Sequence, residues 1–188
     1  MTDQIVNNSN ENIDINELNV ILERIVTFIS NCDTKVSFLL SSLGVVMTIL
    51  FTLKPIKFDL IKCIVTKNDF LKGLDFWLLI ALIISLIICI VGIYLLLDVL
   101  KARVKCENYS HSVIFFGHIA NFNSHLTYLN QLKTTNLTKY RDDLAFQIFI
   151  NSKICDRKYK LFNIGLKLST YPLPLLFFCW SYLFFFFF

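Results

Sequence analysis

The three histidines of the chain stand at equal intervals, a pattern that invites a metal site. His111, His118 and His125 are seven residues apart. On one straight helix this spacing separates successive rings by about 10.5 Å along the axis, whereas nitrogen ligands lie roughly 2 Å from a bound ion. One ion therefore cannot be shared among them, and the sequence predicts a helix face and no metal site.

Neither the carboxylates of the chain nor any catalytic motif indicates an enzyme. Asp142 and Asp143 are adjacent, and adjacent side chains on a helix do not face each other, so a paired general acid and base is not expected. The chain contains no GxSxG, HExxH or GxxxxGK[ST] pattern. We expect a protein that is not an enzyme and that needs no cofactor.

A basic cluster is the remaining candidate for chemistry. Lys153 and Arg157 are i and i+4 neighbours, so a helix presents two cations on one face, an arrangement that suits a phosphate. Lys158 and Lys160 follow them, and Arg141 precedes them. Alternatively, a basic run before a membrane crossing orients the protein in the bilayer without binding any ligand. The residues alone leave both interpretations open.

The element around which the rest of the chain is placed is a membrane crossing. Residues 76–97 contain no charge over twenty-two positions, and as a helix they span roughly 33 Å, enough for the hydrocarbon core of a bilayer. A buried helix of a soluble domain is the alternative, but the run is too long for most domain cores. The chain is 55% hydrophobic with only five glycines, and its mean hydropathy is +0.60. We predict an all-α integral membrane protein: a transmembrane hairpin plus a C-terminal transmembrane helix, with a small cytoplasmic helical domain.

The remaining segments are placed relative to this crossing. Basic residues near the crossings are more numerous before residue 36 and within 98–167 than in the connection at 54–75, which predicts a cytoplasmic location for the first two segments. Pro172 and Pro174 are expected to kink the last crossing or delay its start. The predicted segments are a disordered tail and cytoplasmic amphipathic helix (1–35), transmembrane helix 1 (36–53), an external loop (54–75), transmembrane helix 2 (76–97), a cytoplasmic helical domain (98–167) and transmembrane helix 3 (168–188).

Small and hydroxylated residues form a stripe on each of the first two crossings. In lipid such residues indicate faces where helix backbones approach closely. One interpretation is that the two stripes pack on each other within the hairpin; the other is that one stripe faces further subunits or lines a path. The first stripe, a candidate for oligomerisation, is Ser37, Ser41, Gly44 and Thr48; the second is Ala81, Ser85, Cys89 and Gly92.

Three sequence segments resemble the transmembrane effectors of bacterial Pycsar antiphage systems. They are FISNCDTKVSFLLSSLGVV at 28–46, YSHSVIFFGHIA at 109–120 and FQIFINSKICDRKYKLFNIGLKL at 146–168. The order of parts is also similar: an entry helix with Asp33 and Lys35, a membrane hairpin, an Ile-Phe-Phe-Gly element, and then QI, NSKI and a Lys-Tyr pair before a last apolar helix. The likeness covers nearly the whole chain from about residue 17.

The resemblance implies a function that the composition alone does not. Segment 98–167 is then a sensor for a cyclic pyrimidine nucleotide, cCMP or cUMP, made by a partner uridylate or cytidylate cyclase after phage infection. The effector, expected to be a homo-oligomer with no nucleic-acid partner, disrupts the bacterial inner membrane and causes abortive infection. A membrane toxin or a constitutive scaffold that binds no nucleotide is the alternative. The candidate ligand-binding residues are Arg141, Lys153, Arg157, Lys158 and Tyr159, with Tyr140 also available to stack on the base.

Overall fold

The described part of the protein is helical, with short connections between the helices. The computed structural model describes residues 14–53, 73–101 and 112–187. The predicted disordered tail, nearly all of the predicted external loop and His111 lie outside the described residues. No strand occurs within the described ranges. The helices are α1 (Ile15–Leu53), α2 (Leu74–Leu100), α3 (Phe116–Ile119), α4 (His125–Thr134), α5 (Leu137–Thr170) and α6 (Pro172–Phe187).

Three helical stretches are long enough, and over part of their length apolar enough, to cross a membrane. They are Ile15–Leu50, Phe76–Leu100 and Leu137–Tyr182. The third stretch continues from α5 into α6, with Pro172 as the first residue of α6. Proline suits that position because a helix's first residue needs no amide hydrogen for an intrahelical bond. The predicted all-α integral membrane protein is confirmed.

Helix α1 is continuous through both the predicted amphipathic helix and the predicted first crossing. The backbone N–H of Ile15 donates to Asp14 Oδ1 at 2.7 Å, so a carboxylate satisfies the first amide of the helix, which has no intrahelical partner. Its 39 residues extend for about 58 Å, nearly twice the thickness of the hydrocarbon core, so part of α1 must project beyond the membrane. The hydroxyls of Ser41 and Thr48 donate to the carbonyls of Ser37 and Gly44 four residues earlier, which hides their polar hydrogens inside an apolar stretch.

The chain divides into two compact units, and each is described by itself. Among the described residues, the polar unit comprises 14–28 and 112–155, and the membrane unit comprises 29–53, 73–101 and 156–187. The boundaries fall inside α1 and inside α5, whereas the charge pattern placed the edges of the cytoplasmic segments at residues 35 and 167. Charge marks where the chain meets the membrane surface, while the units reflect packing.

The membrane unit is held together by two clusters of buried side chains. In the first cluster, Cys32 and Val36 of α1 are buried with Leu96 and Val99 of α2, and Tyr159 of α5 packs against them. In the second cluster, Leu82 of α2 is buried with Cys179 of α6. Helix α2 therefore contacts α1 and α5 in one cluster and α6 in the other, which makes it the centre of this unit.

The small residues of α2 pack against the end of α5. The Cys89 thiol donates to the carbonyl oxygen of Ser169 at 3.5 Å. A Cβ placed on Gly92 would lie 2.5 Å from the Ser169 nitrogen, so only glycine leaves room for this approach. The structure does not pack the two small-residue stripes on each other, because the backbone of α5 already covers the stripe of α2.

Candidate functional site

The predicted cations of the polar unit lie far apart on α5. Arg141 and Lys153 are twelve positions apart on that helix, a rise of about 18 Å, so one phosphate cannot contact both residues. Lys153 is exposed, and its ammonium lies 4.3 Å from the centre of the Phe149 ring, a cation–π contact. Arg141 is half-buried. Of these two residues, Arg141 is therefore the one whose charge lies partly inside the unit.

The other three predicted ligand residues belong to the membrane unit. Lys158 forms an ion pair with Asp33 of α1, with 2.5 Å between Lys158 Nζ and Asp33 Oδ1. Tyr159 packs against the buried cluster around Cys32. Arg157 is exposed, and within the described ranges no carboxylate pairs with it. Lys158 and Tyr159 thus hold α5 to α1, and Arg157 is the cation of this group that is available to an anion.

A buried polar network, which the charge pattern did not reveal, lies in the polar unit. Asp143 is 2% exposed, and its Oδ2 accepts hydrogen bonds from the Ser112 hydroxyl at 2.9 Å and from the Val113 N–H at 2.8 Å. The Ser112 hydroxyl oxygen in turn accepts from the Phe115 N–H at 2.8 Å. This serine therefore starts the turn that leads into α3 and also attaches the turn to α5.

The same network includes His118 and Tyr128. The Ser112 N–H donates to His118 Nδ1 at 3.0 Å, and the Tyr128 hydroxyl donates to the Val113 carbonyl at 3.0 Å. The ring centres of His118 and Phe115 are 5.3 Å apart in an edge-on arrangement. His118 is thus a hydrogen-bonded structural histidine. Among the described residues, no group of three His, Cys, Asp or Glu side chains converges as metal ligands would.

Three buried side-chain atoms of α5 have no hydrogen-bond partner within the described structure. They are Arg141 Nε, Asp143 Oδ1 and Gln147 Nε2. Buried polar atoms are almost always paired in folded proteins, and an exception needs an explanation such as a functional role. Of the five predicted ligand residues, only Arg141 belongs to this set. Asp143 and Gln147 were not among the predicted ligand residues. The signal for them in the sequence is their spacing of four positions, which places both on one helix face.

The predicted oligomerisation stripe lies on an open face of the membrane unit. Ser37, Ser41, Gly44 and Thr48 are all exposed. No heavy atom from elsewhere in the described chain lies within 4 Å of the position that a Cβ on Gly44 would take. This face of α1 is therefore available to lipid or to another protein.

Comparisons with known proteins give the same family over almost the whole chain. The model of the Pycsar effector protein domain, PycTM, matches residues 17–186. A relative, the Pycsar effector protein GmPycTM of Gulbenkiania mobilis, is 30% identical over 159 residues, which cover 78% of this chain and 81% of the relative. No solved structure matches the chain. With three apolar helices long enough to span a bilayer, the chain belongs to the PycTM family of Pycsar transmembrane effectors, which act in antiphage defence.

Proposed function

We propose that the protein responds to cCMP or cUMP from a partner cyclase and then disrupts the bacterial inner membrane, which halts the infected cell. The observation that carries the sensing part is the set of unpaired buried polar atoms on α5, because a polar ligand would satisfy them. The disruption part is supported by family membership and by the spanning helices. No catalytic step is needed for either part.

The ligand can act only by favouring one arrangement of the protein over another. Helices α1 and α5 each contribute residues to both the polar unit and the membrane unit without a break. A nucleotide held by α5 in the polar unit is therefore connected through a single helix to the spanning region. In our proposal the nucleotide favours association of neighbouring protomers, and this association makes the bilayer leak.

The cyclic phosphate requires a cation, and the candidates differ in availability. Arg141 has an unpaired buried Nε in the polar unit, and Arg157 is exposed in the membrane unit. Lys158 would first have to leave Asp33, and Lys153 already lies on the Phe149 ring. We assign the phosphate contact to Arg141 because its Nε is buried without a partner in the same unit as the other two unpaired atoms.

Membrane potential in living cells tests this function directly. Cells that produce the protein are expected to depolarise when cCMP or cUMP is also produced, and to keep their potential with the protein alone. Depolarisation without any nucleotide would indicate a membrane toxin. Normal insertion with no response to either nucleotide would indicate a scaffold or a different signal, and would overturn the proposal.

The exposed stripe of α1 supplies a prediction about association. Replacing Gly44 by leucine puts a bulky side chain on a face where backbones are proposed to meet, so we expect about a tenfold loss of nucleotide-dependent leakage at a given nucleotide concentration, equivalent to about 1–2 kcal/mol of association. Leakage of dye from liposomes provides the measurement.

Val46 provides the matched control for this prediction. It is also exposed on α1 but lies two positions from Gly44, so it points to a different side of the helix. The Val46→Leu variant is expected to leak like the wild type. Full leakage by Gly44→Leu would show that this stripe does not form the contact.

A further inference from the structure

Two buried side chains on one face of α5 have opposite hydrogen-bonding capacities. Asp143 is 2% exposed and Gln147 is 5% exposed. Asp143 Oδ1 is an unpaired acceptor, and Gln147 Nε2 is an unpaired donor, within the described structure. Residues four apart are neighbours on a helix surface. The helix therefore presents an acceptor beside a donor, both withdrawn from water.

The carboxylate of Asp143 is held in place before any ligand binds. Its Oδ2 accepts from the Ser112 hydroxyl and from the Val113 N–H, so turning the carboxylate would break both hydrogen bonds. The free oxygen is thereby held in one orientation. A group that is fixed in advance loses little entropy when it binds, which favours affinity and selectivity.

We infer that Asp143 Oδ1 and Gln147 Nε2 bind the base edge of the cyclic pyrimidine, an inference that rests on the proposed function. An acceptor beside a donor is complementary to the N4 amino group and N3 of cytosine, and equally to the N3–H and a neighbouring carbonyl of uracil. Enzymes that recognise an unstacked base likewise use hydrogen bonds to this edge.

Nucleotide binding to the full-length protein in lipid nanodiscs tests the inference. The Gln147→Leu variant keeps a similar shape but loses the donor, so we expect cCMP and cUMP to bind about tenfold more weakly or worse. The thermal unfolding midpoint of the ligand-free variant should equal or exceed that of the wild type, because an unpaired buried amide has been removed. A purely structural glutamine would lower the midpoint instead. Gln131→Leu on α4 is the matched control and is expected to bind like the wild type.

The outcomes separate this inference from the proposed function. If the wild type binds neither cCMP nor cUMP, the proposed function itself fails. If the wild type binds one of them and Gln147→Leu binds it equally well, the base-edge assignment is overturned while the function stands. Competition on the wild type does not depend on the folding of any variant: a cyclic pyrimidine nucleotide methylated at N3, whose pairing edge is blocked, should compete at least about tenfold less well than the unmodified nucleotide that binds, and equal competition would also overturn the assignment.

Discussion

Replacing Gly92 by alanine is expected to destabilise the membrane unit by about 3 kcal/mol, at the upper end of the cost of overpacking a tight contact. The added Cβ would lie 2.5 Å from the Ser169 nitrogen and 2.8 Å from the Leu168 carbonyl carbon, which are both backbone atoms. A backbone cannot move aside as a flexible side chain can, so α2 and α5 would have to separate. We expect the thermal unfolding midpoint in detergent to fall by roughly 6–12 °C.

Gly44 supplies the matched control, since it is also a glycine in a spanning helix of the same unit. A Cβ at Gly44 meets no heavy atom of the described chain within 4 Å, and alanine favours a helix over glycine by roughly 0.5–1 kcal/mol. Gly44→Ala should therefore unfold at the same temperature as the wild type or at a higher one. Equal midpoints for Gly44→Ala and Gly92→Ala would contradict the close approach of α2 and α5.

The contrast between these glycines shows what the sequence could and could not predict about the fold. Uncharged runs of eighteen residues or more identify spanning helices from length and composition, and the helical membrane architecture followed from them. Gly44 and Gly92 both stand in small-residue stripes, and no sequence pattern separates them. In lipid there is no hydrophobic force between helices to mark the buried face, so the partner of each stripe became visible only in the structure.

The candidate site was only partly predictable for a related reason. Cations are evident in a sequence, and Arg141 was identified in this way. Asp143 was considered only as a partner for Asp142, yet its hydrogen-bond partner Ser112 is 31 positions away. The ion pair between Asp33 and Lys158 joins residues 125 positions apart. Contacts over such distances depend on how the helices pack, which local spacing does not encode.

The ion pair between Asp33 and Lys158 gives the second large prediction. The Lys158 side chain is 13% exposed and that of Asp33 is 37% exposed, so removing the carboxylate leaves a cation largely withdrawn from water. We expect Asp33→Ala to cost about 1–3 kcal/mol of unfolding free energy, less than a fully buried pair because Asp33 remains partly solvated. The exchanged pair, Asp33→Lys with Lys158→Asp, should regain part of this loss, as measured by a double-mutant cycle in detergent.

The neighbouring pair of Lys160 and Asp156 separates this effect from a general effect of charge. Its atoms are as close, 2.6 Å apart, but the two side chains are 71% and 63% exposed. Because water and salt screen an exposed pair, Lys160→Ala should change the unfolding free energy by less than about 0.5 kcal/mol. Equal losses from Asp33→Ala and Lys160→Ala would mean that burial does not decide the strength of the contact. A selective loss for Asp33→Ala would instead identify Asp33 and Lys158 as the polar attachment of α1 to α5, the two helices that contribute to both units.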